Sequence, residues 1–182
     1  MSDPSALDEF IQLCRELVVA PDAVSNIRSA MEEFLGTEGL AERHPAPTDC
    51  TAISGLSVQH FEDETISVQM VHTPPDIAQP PHDHQMSVVI GGISGVEMHR
   101  LYRRTPNEAA PITLTGTKDL SAGDVMTIGA QGVHAINAAA PQWATALHVY
   151  LGSLSTVDRS LFHPDTIAEE PLDLERYDDY CR

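Results

Sequence analysis

Basic side chains are scarce in this chain: 10 Lys and Arg stand against 27 Asp and Glu, for a net charge of −17. Such a surface repels a phosphate backbone, which argues against nucleic-acid binding and leaves solubility as the role of the acidity. Cysteine is scarce too. Cys14, Cys50 and Cys181 are scattered and odd in number, so they make no disulfide framework, and no C-x-x-C pair suggests zinc. Reduced thiols in a cytoplasm are the expectation. No apolar run approaches the roughly 20 residues of a membrane-spanning helix. The opening residues, Met1-Ser2-Asp3-Pro4, lack the basic and apolar regions of a signal peptide, which also leads us to expect a cytoplasmic protein. There is no internal repeat and no low-complexity segment.

What is present suits one domain of 182 residues with a sizeable core. Residues 5–19 read as a helix, with Leu7, Phe10, Ile11, Cys14, Leu17 and Val18 on one stripe and Ser5 or Asp3 as its cap. A second helix follows Pro21, with Val24, Ile27, Met31 and Leu35 as its stripe and Gly36 as its stop. Thr37 to Thr51, broken by Pro45 and Pro47, is a connector. Strand-like runs then follow closely: Leu56 to Phe61, Thr65 to His72, Met86 to Ile93, Val96 to Tyr102, Ile112 to Thr115, Asp124 to Ile128, Ala135 to Ala138 and Ala144 to Leu151. Turn residues separate most of them, which predicts a mainly all-β barrel or sandwich with an N-terminal helical pair against its outside. The expected plan is helices and connector over 1–50, barrel over 51–166 and a loosely attached acidic tail over 167–182.

The chain's chemistry centres on Pro81-His82-Asp83-His84. Side chains alternate along a strand, so His82 and His84 share a face and Asp83 takes the other. Two imidazoles on one rigid face are two-thirds of a facial metal site. His134 follows a turn, a short strand and a second turn, and is the candidate third ligand. Imidazole suits iron, zinc, copper or nickel, so these residues alone do not name the ion.

Two blocks carry a resemblance. His82-x-His84 runs into a hydrophobic strand and Gly95, and Gly123 precedes His134 by eleven positions. Together they resemble the two signature motifs of the cupin superfamily, small double-stranded β-helix barrels. Val88 and Val89 stand where the usual glutamate ligand would be, and Gly129 and Gln131 replace the proline and second glycine of the second motif, with Gly132 adjacent. Three imidazoles without a carboxylate resemble the thiol dioxygenase branch. Val89-Ile90-Gly91, Tyr102-Arg103-Arg104 and Leu147-His148-Val149-Tyr150 agree with it. Within that branch the chain is most similar to the bacterial 3-mercaptopropionate dioxygenases, relatives of cysteine dioxygenase, over roughly Val71 to Thr166.

The resemblance implies Fe(II) held by His82, His84 and His134, and oxidation of a small thiol acid to its sulfinate with dioxygen. It implies a relay in which His148 supports Tyr150 near the metal, with Ala146 where the family has serine, so that water orients His148 or leaves it freer. Arg159 matches the arginine that pairs the substrate carboxylate; Arg100, Arg103 and Arg104 are expected to meet surface acids. The cysteine that animal-type cysteine dioxygenases cross-link to their tyrosine is replaced by Val88 and Val89, which rules out a thioether to Tyr150. Ser87 stands where relatives carry tryptophan; with Ala146 it suggests a wider substrate pocket. His44, His60, His72, His99 and His163 are left as ordinary surface or core residues. Beyond a small substrate and dioxygen, no partner is expected, and the chain should be a monomer or small homo-oligomer. Two other readings remain: a three-histidine iron oxygenase of a bulkier metabolite, and a non-catalytic cupin that binds a metal or ligand.

Overall fold

The computed structural model describes residues 5–47 and 55–182. The opening tetrapeptide with Asp3, the end of the connector and Cys50 therefore lie outside the described residues. Two helices open the chain. α1 (Ala6–Leu17) starts at Ser5, whose hydroxyl accepts from the Asp8 N–H while the Asp8 carboxylate accepts from the Ser5 backbone. α2 (Ala23–Leu35) has Asp22 as its cap, so Pro21 precedes the helix instead of filling its first turn. Gly36 does end it, but in a right-handed conformation (φ −73°), so a left-handed stop is not what the glycine provides. A single extra turn, α3 (Leu40–Arg43), interrupts the expected connector.

Eleven strands follow: β1 (Leu56–Glu62), β2 (Ser67–Thr73), β3 (His82–Asp83), β4 (Val88–Ser94), β5 (Val96–Arg104), β6 (Ile112–Ser121), β7 (Val125–Ile128), β8 (Val133–Ala138), β9 (Ala144–Tyr150), β10 (Ser160–Phe162) and β11 (Glu169–Pro171). They form a five-stranded sheet, β1-β2-β9-β4-β7, and a six-stranded sheet, β11-β10-β3-β8-β5-β6. All pairings between these strands are antiparallel. The central orders β2-β9-β4-β7 and β3-β8-β5-β6 are those of an eight-stranded jelly roll, the double-stranded β-helix architecture that cupins share. The fold is the expected one.

Alternation decides what each face buries. Val68, Met70, Val89, Ile93, Leu147 and Val149 project from the five-stranded sheet onto the helix pair, meeting Phe10, Cys14, Ile27, Met31 and Phe34. The helices cover the barrel's outside, as the stripes predicted. Residues of opposite parity, Val88, Ile90, Ala146 and Tyr150, point inward with Met86, Leu120 and Met126. Gly95 joins β4 to β5 in the left-handed region (φ +67°), where an added Cβ would stand 2.2 Å from the Trp143 carbonyl oxygen. Gly95→Ala is expected to cost about 2–4 kcal/mol, from backbone strain plus a clash with backbone that cannot swing aside. Urea unfolding of the variant against wild type measures it; a loss under about 1 kcal/mol would contradict the packing described.

β6 runs to Ser121, beyond the expected Thr115, because only its ends, Ile112 and Leu120, are buried. An exposed edge strand carries no apolar alternation to read. The tail departs most from expectation. It forms α4 (Leu174–Tyr180), capped by the Asp173 side chain, and is anchored at several points. Tyr177 donates to the Gln79 side chain, and the Arg182 and Ala78 backbones exchange hydrogen bonds in both directions. The Arg182 guanidinium adds an ion pair to Asp165. Cys14 and Cys181 are free thiols, as expected, and no helix among the described residues is long and apolar enough to cross a membrane.

Candidate metal centre

The pairing of β3 with β8 sets His82 directly opposite His134. Just past β3, the chain turns at Gln85, which adopts a positive φ of 55°, and His84 sits at that bend. The three rings lie 4.7–5.1 Å apart by their centroids. One nitrogen from each comes within 4.8 Å of the others, so the expected triad is assembled and could hold a metal ion. All three residues are buried.

The donor set suits a cation. His82 Nδ1 donates to the Pro80 carbonyl at 3.0 Å, which leaves the Nε2 lone pair for a ligand. His84 Nδ1 and His134 Nε2 are buried nitrogens with no hydrogen-bond partner among the described residues. Burial pushes the His82 imidazole down to about 4. His84 and His134 are also held well below the ordinary histidine range, by burial first and then by the neighbouring imidazoles. Neutral imidazoles with bare lone pairs are metal ligands; left empty, such nitrogens carry a desolvation cost with nothing in return.

Asp83, between the two histidines, faces away as alternation requires. It is 1% exposed and accepts from the Ser160 N–H (2.8 Å), the Gln85 amide (2.6 Å) and Arg104 (2.5 Å). Arg104 thus meets a buried acid as well as the expected surface one, Glu169.

The triad lies on the wall of a cavity of about 390 Å³, together with His148, Tyr150, Arg159 and Tyr177. The Tyr150 ring packs edge-on to His84 at 4.9 Å, and its hydroxyl is 3.1 Å from His148 Nδ1. Burial pushes its phenol up, so it keeps its proton. Arg159 is half-buried, and no carboxylate pairs with it among the described residues, although the chain is rich in acids. Tyr177, from the tail, stacks edge-on to His82 at 5.3 Å and closes one side of the cavity.

Two expected pocket residues are elsewhere. Met86 and Val88 point into the barrel, so Ser87 between them is turned out of it. Ala146 does face inward but is fully buried in the apolar cluster with Val88 and Ile90, beneath the cavity wall. Neither residue lines the cavity, and a pocket widened by them loses its basis.

The residues that sequence reasoning missed lie beside the triad. His99, set aside as ordinary, is 0% exposed, and its Nδ1 is 3.1 Å from His134 Nδ1. Its other nitrogen is 2.9 Å from Glu97 Oε1, and His148 Nε2 approaches the same oxygen at 3.5 Å. Glu97 Oε2 accepts from the Thr73 hydroxyl at 2.8 Å. The group nearest to His148 Nε2, where Ala146 offers none, is therefore the Glu97 carboxylate, close enough for electrostatic attraction but not hydrogen-bonded. The available signal was Glu97-x-His99, two polar residues sharing the inward face of a strand. The remaining histidines are as expected: His72 is buried against Thr145, and His163 accepts from backbone N–H groups of its own loop.

No family model and no curated protein matches this chain. Solved structures similar to it include an uncharacterized conserved protein with a double-stranded β-helix domain from Klebsiella pneumoniae. That protein is 16% identical, with 66% of this chain and 92% of that one covered and a TM-score of 0.47. Another is the hydroquinone 1,2-dioxygenase of Sphingomonas sp. TTNP3, solved with 4-hydroxybenzoate bound. It is 8% identical, with 58% of this chain and 69% of that one covered and a TM-score of 0.44. Likenesses this loose add nothing to the strand order, which carries the fold assignment.

Proposed function

We propose that this chain is an iron-dependent thiol dioxygenase that converts a small thiol carboxylic acid to its sulfinate. The observation that carries the reading is the convergence, on one cavity, of three neutral imidazoles, a buried tyrosine and an arginine without a carboxylate partner. His82, His84 and His134 would hold the ion. When bound, Fe(II) supplies a Lewis-acidic position for an anionic sulfur and the one-electron chemistry that dioxygen requires. Both oxygen atoms go to sulfur: a thiol and O2 become a sulfinic acid, with no further reductant.

The chain's own groups do the rest. Arg159 offers a planar fork to the substrate carboxylate, on the same cavity wall as the triad. The Tyr150 hydroxyl, held by His148, presents a polar group beside the His84 ring where the reacting atoms would lie. Tyr177 and the tail residues Leu174 and Asp178 line one side of the cavity and narrow its opening.

Metal analysis of anaerobically purified protein, followed by oxygen uptake and product identification with 3-mercaptopropionate, cysteine and cysteamine, tests the reading. Sulfinate formation from the two acids is expected, with cysteamine, which has no carboxylate, much poorer. Arg159→Gln should raise KM for the acids roughly 10- to 100-fold, the worth of a charge-assisted pair, with less effect on cysteamine. Iron-loaded protein that consumes no oxygen with any thiol would overturn the assignment. The cavity volume favours a second reading in that event, because about 390 Å³ exceeds what a three-carbon acid fills: the same three-histidine iron acting on a bulkier metabolite. Zinc-loaded protein inert to oxygen would instead point to a non-catalytic binding role.

A further inference from the structure

We infer that Glu97 is a positioning residue: its carboxylate sets, through His99, the tautomer in which His134 presents a bare nitrogen to the metal site, and through His148 it aims the Tyr150 hydroxyl. The inference rests on the metal-site reading above.

The argument is one of donors and acceptors. His134 can ligate a metal through Nε2 only if its proton is on Nδ1. That Nδ1 faces His99 Nδ1 at 3.1 Å, so His99 must offer a lone pair there and carry its proton on Nε2. A buried Nε2–H needs an acceptor, and the carboxylate oxygen nearest to it is Glu97 Oε1, 2.9 Å away at ion-pair distance but out of line with the N–H. Were His99 to carry protons on both nitrogens, His134 would have to accept at Nδ1 and would turn an N–H toward the ion. An ionised carboxylate accepts and never donates, so its negative charge beside His99 Nε2 favours a proton there and this order along the line. Burial pushes the Glu97 carboxyl up, but His148 and His99 outweigh that and hold it well below the usual carboxylate range.

The second limb repeats the logic. His148 Nε2 lies 3.5 Å from the same Glu97 oxygen, an electrostatic approach without hydrogen-bond alignment, and a proton drawn to that side leaves the His148 Nδ1 lone pair to accept the Tyr150 O–H at 3.1 Å. The phenol proton then points at His148, and the hydroxyl lone pairs are left for the cavity side. Thr73, donating to the other carboxylate oxygen at 2.8 Å, keeps Glu97 from rotating. Glu97, His99 and His148 are all buried, so bulk water does not supply these contacts instead. Carboxylate–histidine–metal arrangements use this device with one imidazole. Here a second imidazole extends it, and the same carboxylate serves the tyrosine as well.

The test uses metal-free, histidine-¹⁵N-labelled protein and cobalt(II) as the probe metal. In wild type, ring-nitrogen shifts should place the His134 proton on Nδ1 and the His99 and His148 protons on Nε2. Glu97→Leu and His99→Phe should each weaken cobalt(II) binding roughly 10- to 100-fold and release His134 from its single tautomer. Glu97→Gln, whose amide oxygen can still accept, should recover most of the affinity lost in Glu97→Leu. A wild-type His134 protonated on Nε2 would overturn the inference without recourse to any variant, which covers the case in which Glu97→Leu does not fold. So would wild-type cobalt(II) affinity in folded Glu97→Leu. If wild type bound no cobalt(II), the metal reading would fail while the ring-nitrogen shifts still decided the tautomers.

Discussion

Alanine in place of His134 is expected to bring the metal content of the purified protein from about one ion per chain to background, and to abolish oxygen uptake with thiols. His82, His84 and His134 each supply one nitrogen, and there is no fourth His, Cys, Asp or Glu in the group among the described residues. Two imidazoles are a weak, exchangeable site. Loss of a group behind a ligand already costs about 10- to 100-fold in affinity, so loss of the ligand itself should cost at least the upper end of that range. The fold should survive. β8 keeps its backbone pairing with β3 and β5, and the site's own requirement, a neutral buried imidazole with an unpartnered Nε2, disappears with the ring. Elemental analysis and cobalt(II) titration measure the first effect, and circular dichroism controls for the second. Metal retained in folded His134→Ala would mean that the ion binds somewhere else and that the triad is a buried histidine cluster.

How much of this was legible follows from the range over which each signal acts. Leu7, Phe10 and Cys14 reveal a helix because their spacing is local, and Val88 and Ile90 reveal a strand for the same reason. The triad was legible because His82 and His84 share a strand face and because a turn-rich stretch leads to His134. His99 was not. It lies two places along β5 from Leu101, the residue paired with His134, so the contact depends on β5 and β8 being neighbours. Periodicity within a strand does not say which strand lies beside it. Tyr177 was hidden for a related reason. An acidic tail reads as solvated chain until its last residue is seen to pair with Ala78 and bring the helix over the cavity. The misplacement of Ser87 is different in kind. The alternation of Met86, Val88 and Ile90 already turns Ser87 outward, and a family position assigned by resemblance does not carry the direction in which a side chain points.

Asp83→Ala tests how the triad is held, apart from what it binds. It is expected to destabilise the metal-free protein by about 3 kcal/mol, the lower end of what removing one member of a buried ion pair costs. The upper end is not expected, because Arg104 retains Glu169 at 2.7 Å and its side chain is 28% exposed. The larger part of the loss comes from the Ser160 N–H, which would lose its acceptor where β10 pairs with β3. For a chain of this size the melting temperature should fall by about 6–12 °C. Asp83→Asn should recover little, because its amide can accept from Ser160 only by turning N–H groups toward Arg104 and Gln85, both donors. The same carboxylate fixes the two-residue strand that carries His82, so cobalt(II) affinity should drop alongside stability although Asp83 faces away from the cavity. A double-mutant cycle with Arg104→Met, run without metal, separates the pair's coupling from the backbone contribution. A stability change below about 1 kcal/mol in that cycle's Asp83 arm would mean that neighbouring strands alone hold the His82–His84 segment, and that the acid between the two ligands is dispensable to the fold.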